Sequence, residues 1–137
     1  MSQKRREPPR AVRNAAVITL RGPVTAAYRR SQGLWYCTAL QFDIVGVGKT
    51  RDEAFGEMRD LFSDYVKEVL ADSGPVRFFN PSEAQEWNVK KQETYSVTVV
   101  MARPEEQPSG RASLSDVGQL RPYRDAIQCI DLVPAGA

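Results

Sequence analysis

The chain has 137 residues, of which 42% are apolar and 26% are charged, a composition typical of one globular domain with short tails. Histidine is absent, which excludes every mechanism that uses an imidazole of this chain as base, acid or metal ligand. The net charge of +2 is unevenly distributed, because residues 1–30 carry eight basic side chains and one acidic one, which leaves −5 on residues 31–137.

The basic excess begins in the first 13 residues, where Pro8 and Pro9 interrupt any helix and no apolar face is present. We therefore expect residues 1–13 to form a disordered basic arm. Such an arm also attracts phosphate groups through counterion release, so nucleic-acid binding is the alternative interpretation. The side chains that would carry it are Lys4, Arg5, Arg6, Arg10 and Arg13.

Targeting and metal-binding signals are absent from the sequence. No run of about 18 apolar residues exists, and no apolar stretch follows the basic start, so we expect no membrane span, no signal peptide and a cytoplasmic protein. Cys37 and Cys129 have no cysteine or histidine at metal-ligand spacing. We expect two buried free thiols, no metal site and no cofactor.

The first half of the chain predicts an antiparallel meander of three strands. Residues 14–30 form either one interrupted strand or two short strands, with a bend at Gly22-Pro23. A turn at Gly33 leads into a strand over 34–40, and a third short strand covers 44–47. Short links of this kind join neighbouring antiparallel strands.

The third strand runs into Gly46-Val47-Gly48-Lys49-Thr50, which ends like the phosphate-binding P-loop. A P-loop requires a glycine five positions before its second glycine, where this chain has Asp43. Since a carboxylate there repels a phosphate, we interpret the stretch as a strand end, a turn and a helix cap. Thr50 and Glu53 predict a capping box, in which each side chain accepts from the backbone N–H of the other residue.

A long amphipathic helix is predicted from Thr50 to a stop at Gly74-Pro75. Gly56 lies inside this helix, where we expect another backbone to come close. The apolar stripe is expected to pack on the sheet. It consists of Ala54, Phe55, Met58, Leu61, Phe62, Tyr65, Val66, Val69 and Leu70.

The remaining segments are less regular. Residues 76–88 hold Phe78, Phe79 and Trp87 among turn-forming residues, which predicts an ordered loop with a helical turn that begins at Ser82. The alternation of apolar and polar residues over 93–102 predicts a strand. Residues 103–116 are typical of a polar linker, and 126–133 form either a last short strand or an extended segment that docks on a partner.

These elements together resemble the HicB-like antitoxin domain over residues 24–101. In that family a glycine turn precedes an aromatic-bearing strand, and a third strand ends in Gly-x-Thr before a Glu-Ala helix. The chain departs from the family in two places. Gln41-Phe42-Asp43 replaces the usual proline-rich turn between the second and third strands. Residues 103–137 show no helical pattern for the DNA-reading domain that many members have, so the family's role in regulation at an operator is not assigned to this chain. The matching residues are Gly33, Trp35, Gly48, Thr50, Glu53 and Ala54.

The resemblance implies an α+β, truncated ribonuclease-H-like fold. Its order is β-β-β-α-β: an antiparallel three-stranded meander, one amphipathic helix packed on the sheet, and then a further strand, with extra segments at both ends. On this basis residues 14–101 form the HicB-like domain, and residues 102–137 form a linker and a C-terminal extension.

The same resemblance implies a non-catalytic antitoxin that neutralises a small basic HicA-like ribonuclease toxin. An acidic surface would suit that partner by charge, and the polar face of the helix provides one. The alternatives are a nucleic-acid-binding or adaptor protein that uses the basic arm; a homo-oligomer is compatible with either function. The candidate partner-binding residues are Glu57, Asp60, Asp64, Glu68 and Trp35.

An active nuclease of ribonuclease-H type needs several carboxylates that converge on two metal ions. Asp43 is the only acidic residue within the three predicted strands, and most others lie on the exposed helix face. We therefore predict no catalytic residues, and a protein that is not an enzyme.

Overall fold

The computed structural model describes residues 15–72, 77–102 and 111–135. It has an α+β fold in which one long helix packs on a six-stranded sheet. In chain order the elements are β1 (Ala15–Ser31), β2 (Leu34–Ala39), β3 (Ile44–Gly48), α1 (Arg51–Ala71), a 3₁₀ helix (Ala84–Asn88), β4 (Gln92–Ala102), β5 (Arg111–Ser113), a second 3₁₀ helix (Leu114–Ala126) and β6 (Ile127–Pro134).

The strands of the main path lie in the order β3-β2-β1-β4-β6, and each neighbouring pair is antiparallel. The short strand β5 pairs with β1 in parallel, outside this path. The predicted α+β class with an antiparallel sheet is therefore confirmed. One row of paired residues runs from Arg30 to Trp35 to Gly48 across three strands, which places these positions at the same end of the sheet.

Residues 15–31 form one strand, which settles the two alternatives left by the sequence. The register with β4 shifts between Leu20 and Val24, so the bend at Gly22-Pro23 is a β-bulge within a continuous strand. Gly22 has a backbone φ of 118°, a value that residues other than glycine rarely adopt.

The turn expected at Gly33 joins β1 to β2. Gln32 and Gly33 have φ 52 and 79, so both residues of this two-residue connection are left-handed. Positive φ at both central positions is the signature of the type I′ turn, whose twist matches that of the flanking strands.

The capping box at the start of α1 is present with one change of partner. The Thr50 hydroxyl accepts from the Glu53 N–H at 3.1 Å, as predicted. The Glu53 carboxylate accepts from the Lys49 N–H at 3.0 Å, one residue earlier than expected. The helix ends at Ala71, and the predicted stop at Gly74-Pro75 lies outside the described residues.

The apolar stripe of α1 packs on the sheet face formed by alternate residues of the strands. Leu61 is the exception, because its side chain is 43% exposed. Phe55, Tyr65 and Val69 pack at the margin of the core. The fully covered helix positions are Ala54, Met58, Phe62, Val66 and Leu70, and their sheet neighbours include Leu20, Val24, Ala26, Cys37, Ala39, Val97, Val99 and Met101.

The helix and the sheet approach each other closely at the glycines of β3. A Cβ atom on Gly46 would overlap the Ala54 carbonyl oxygen and the Met58 amide nitrogen, and one on Gly48 would lie 2.6 Å from the Ala54 amide nitrogen. Gly56 was the predicted site of close approach, and that prediction is wrong, because a Cβ there would meet nothing within 4 Å.

The loop after α1 is tied to the turn between β2 and β3. The Ser82 hydroxyl donates to the Asp43 carboxylate at 2.7 Å, and the Ser82 N–H donates to the Leu40 carbonyl at 2.7 Å. Ser82 therefore does not cap the 3₁₀ helix, which begins two residues later without a side-chain cap. Phe78 is buried in the core, whereas Phe79 is 46% exposed and stacks on Phe42.

The described residues after Ala102 extend the same sheet and core. In the second 3₁₀ helix the side chains of Leu114, Val117 and Leu120 are buried, so this part of the predicted linker and extension is structured. Strand β6 pairs with β4, which decides between the two alternatives for that segment. The division of the chain into an arm, a domain and an extension stays a prediction, since residues 1–14 and 103–110 lie outside the described ranges.

Candidate functional site

The four acidic residues predicted to bind a partner lie on one exposed face of α1. Glu57, Asp60, Asp64 and Glu68 follow one another at spacings of three and four residues, which brings them into line along the helix surface. All four side chains are exposed, whereas the buried stripe faces the sheet. Lys67 is exposed beside them, so the surface is acidic without being uniformly so.

Glu57 differs from the other three because its carboxylate has a structural role. Its Oε1 atom accepts from the Val47 N–H at 2.8 Å. Strand β3 is an edge strand, and an edge strand leaves some N–H groups without a partner strand. Glu57 therefore satisfies one such group, and its substitution would change the attachment of α1 to β3 as well as the surface charge.

Within the described part of the chain, the carboxylates of Asp60 and Asp64 have no structural role comparable to that of Glu57. Asp60 lies 4.0 Å from Arg59 in an exposed pair, which contributes little to stability. Arg59 also approaches Asp131 of β6 at 3.8 Å. Asp60 and Asp64 are thus the positions at which the charge of this face can be changed with the least effect on the fold.

Trp35 lies in β2 and does not join the acidic helix face. Its half-buried ring has Arg30 Cζ at 5.9 Å and Lys91 Nζ at 5.4 Å from the centroid. Both distances are within the range of a cation–π interaction. The structure therefore places this predicted contact in a basic environment, apart from the acidic positions that were predicted with it.

The basic arm residues Lys4, Arg5, Arg6, Arg10 and Arg13 lie outside the described part of the chain. Nucleic-acid binding through the arm stays a prediction.

In the stretch that looks like a P-loop, two of the groups that would bind a phosphate or a metal ion form hydrogen bonds within the chain itself. The Thr50 hydroxyl accepts from the helix, and the Glu53 carboxylate covers the Lys49 N–H. Asp43 lies in the turn before β3 with φ 55, and its carboxylate accepts from Ser82. The glycines allow the helix to approach β3, so Gly46, Gly48, Thr50 and Asp43 each have a structural function.

Buried polar groups cluster beneath the start of α1. Burial raises the pKa of the Cys37 thiol to about 12. Burial, followed by the neighbouring Tyr95 hydroxyl, raises the pKa of Tyr28 far above its ordinary value. Burial likewise raises the pKa of Tyr95, whose hydroxyl donates to Glu93 at 2.9 Å. These groups stay protonated at neutral pH, so Cys37 is a poor nucleophile.

Cys129 is exposed, which contradicts the expectation that both thiols are buried. Among the described residues, no group of three or more His, Cys, Asp or Glu side chains converges to hold a metal ion. None of the helices in the described ranges is long and apolar enough to cross a membrane.

Comparison with known proteins leaves the family of this chain open. No protein-family model matches it, and neither the curated proteins nor the solved structures contain a match. The likeness to the HicB-like domain therefore rests on a short set of matching residues: Gly33, Trp35, Gly48, Thr50, Glu53 and Ala54.

Proposed function

We propose that this protein is a non-catalytic binding protein of the antitoxin type, whose acidic helix face holds a small basic HicA-like ribonuclease. The observation that carries the proposal is the exposed line of carboxylates on α1, on a helix whose five buried apolar residues pack on the sheet. The order β1, β2, β3, α1 and β4, with one 3₁₀ helix between the last two, is compatible with the HicB-like arrangement.

The physical basis is complementary charge on a rigid support. A partner with a basic surface is attracted to the carboxylates during encounter, which raises the association rate and favours the correct orientation. Because α1 packs firmly on the sheet, the carboxylates keep their spacing when the partner arrives, and little conformational entropy is lost on binding.

The test uses a variant with Asp60→Lys and Asp64→Lys, because Glu57 also supports β3. Exposed substitutions of this kind usually change the stability by no more than about 0.5 kcal/mol. The matched control reverses Glu83 and Asp116, two exposed carboxylates outside α1. The partner in the test is a small basic HicA-like ribonuclease toxin that is coexpressed with this chain.

We expect the wild-type chain and the control to rescue cells that express the partner, and the α1 variant to rescue them less well. At low salt the association rate of the α1 variant should fall by about tenfold or more, with a smaller difference as salt screens the charges. Equal association of all three proteins would move the interface away from α1. Absence of both rescue and copurification by the wild-type chain would reject the antitoxin function.

A further inference from the structure

A second charged surface, of opposite sign to the carboxylate line of α1, lies at one end of the sheet. The end of β1, the start of β2, the end of β3 and the start of β4 meet there. Four exposed cations and one half-buried aromatic ring come together, and we call this group the basic sheet end. It consists of Arg30, Trp35, Lys49, Lys90 and Lys91.

The cations of the basic sheet end are available for an external anion. Within the part of the chain that the structure describes, none of the four forms an ion pair. The neighbouring arginines are paired instead, Arg29 with Glu86 at 3.5 Å and Arg51 with Glu93 at 3.4 Å. Asp52 and Glu53 begin α1 nearby, so the local excess is positive but moderate.

A concave site adjoins these cations. A cavity of about 210 Å³ is lined by Arg51, Lys90 and Lys91 together with Tyr28, Gln92 and Glu93. Lys91 belongs to both features, because its ammonium group also lies 5.4 Å from the centre of the Trp35 ring. A cationic cavity and an aromatic ring are therefore connected by one side chain.

We propose that the basic sheet end binds single-stranded nucleic acid, with phosphates held by Arg30, Lys90 and Lys91 and an unpaired base stacked against Trp35. Aromatic rings within a basic groove are the general means of holding single strands, because every base offers a face for stacking. A duplex hides those faces, so the single strand is the preferred form. This inference does not depend on the toxin-binding function of α1.

A polar, cationic cavity favours nucleic acid over an anionic membrane, because a membrane-binding surface inserts exposed apolar groups. The large hydrophobic side chains that the structure leaves exposed are all outside the basic sheet end: Val17, Val45, Leu61, Phe79, Trp87 and Val133.

The experiment measures binding of the full chain to a fluorescent 12-nucleotide RNA of mixed sequence across a salt series. Three contacted phosphates predict a slope of about −2 in a plot of log affinity against log salt concentration. Arg30→Glu with Lys91→Glu should weaken binding about tenfold or more and reduce the slope by about 1.4. The matched control is Lys67→Glu with Arg124→Glu, two exposed cations elsewhere, which should bind like the wild type.

Stacking is measured separately through Trp35. In a Trp87→Phe background the remaining tryptophan is Trp35, and its fluorescence should be quenched by the RNA. Trp35→Ala should weaken binding by about 5- to 150-fold at an unchanged salt slope. Thermal unfolding of each variant shows whether it is folded, and the Arg30/Lys91 variant tests the surface independently if Trp35→Ala is unstable.

Four outcomes would overturn the proposal. The first is no RNA binding at low salt, and the second is binding that survives in the Arg30/Lys91 variant but is lost when Lys4 and Arg5 of the arm are changed to glutamate. The third is equal Trp35 quenching by inorganic polyphosphate, which has no bases. The fourth is binding to phosphatidylserine vesicles with no response to RNA.

Discussion

Two glycines, one in β3 and one in α1, have opposite roles in this molecule. Gly46 allows the backbone of α1 to approach β3, since a side chain there would overlap Ala54 and Met58. Gly56 lies in the helix with open space around its Cβ position, so its only effect is the conformational freedom that it adds to the unfolded chain.

We expect Gly56→Ala to raise the free energy of unfolding by about 0.5 to 1 kcal/mol. Gly46→Ala should lower it by about 1 to 3 kcal/mol or more, because a methyl group forces the helix away from the strand. Urea denaturation of both variants measures the difference. A neutral Gly46→Ala would show that the helix does not lie this close to β3.

At the scale of elements, the segment Leu114–Ala126 shows that a helix can be missed when its buried residues do not follow the α-helical period. The buried residues Leu114, Val117 and Leu120 lie three positions apart in a 3₁₀ segment that is kinked at Asp116, where the backbone is not helical. In a 3₁₀ turn, residues three apart lie on one side. This pattern lacks the α-helical period of 3.6, which is why the sequence predicts a linker over residues 103–116 and no helical pattern over 103–137.

Strand β6 allows a direct test of this assignment. Ile130 is 5% exposed and belongs to the core, whereas Val133 is 36% exposed. Ile130→Ala should lower the free energy of unfolding by about 2 to 4 kcal/mol, and Val133→Ala by less than about 1 kcal/mol. If both variants were as stable as the wild type in urea, β6 would not be part of the folded core.

At the scale of the whole molecule, buried hydroxyl and thiol groups make the stability sensitive to alkaline pH. The folded state holds the pKa of Cys37 at about 12, above the ordinary value of about 8.5 in an unfolded chain. The contribution of this thiol to stability is complete below the unfolded value and is lost as the pH rises toward the folded value. Tyr28 and Tyr95 act in the same direction at higher pH.

We therefore expect the free energy of unfolding to fall above about pH 8.5, by up to about 1.4 kcal/mol per pH unit for one group. The midpoint of urea denaturation should fall with it. Cys37→Ala should reduce the slope between pH 8.5 and 10, while Cys129→Ala, at the exposed thiol, should leave it unchanged. Identical slopes in all three proteins would contradict a buried, protonated Cys37.

The amino-acid sequence by itself determined the features that depend on neighbouring residues: the strand β4, the turn at Gly33, the Thr50 cap and most of the helix stripe. Each follows from a short-range period or from a hydrogen bond across three residues. The acidic line on α1 was predictable for the same reason, since positions three and four apart share a helix face.

Only the tertiary structure decided the features that depend on distant parts of the chain. The pairing of β6 with β4, the support of Val47 by Glu57 and the approach of α1 to Gly46 all join residues whose proximity no local pattern encodes. The basic surroundings of Trp35 also depend on distant residues. The pairing of β1 with β2 and β4 brings the Lys91 ammonium group to the ring of Trp35. Local sequence sets which face of an element is apolar, whereas the packing of elements sets what each polar residue meets.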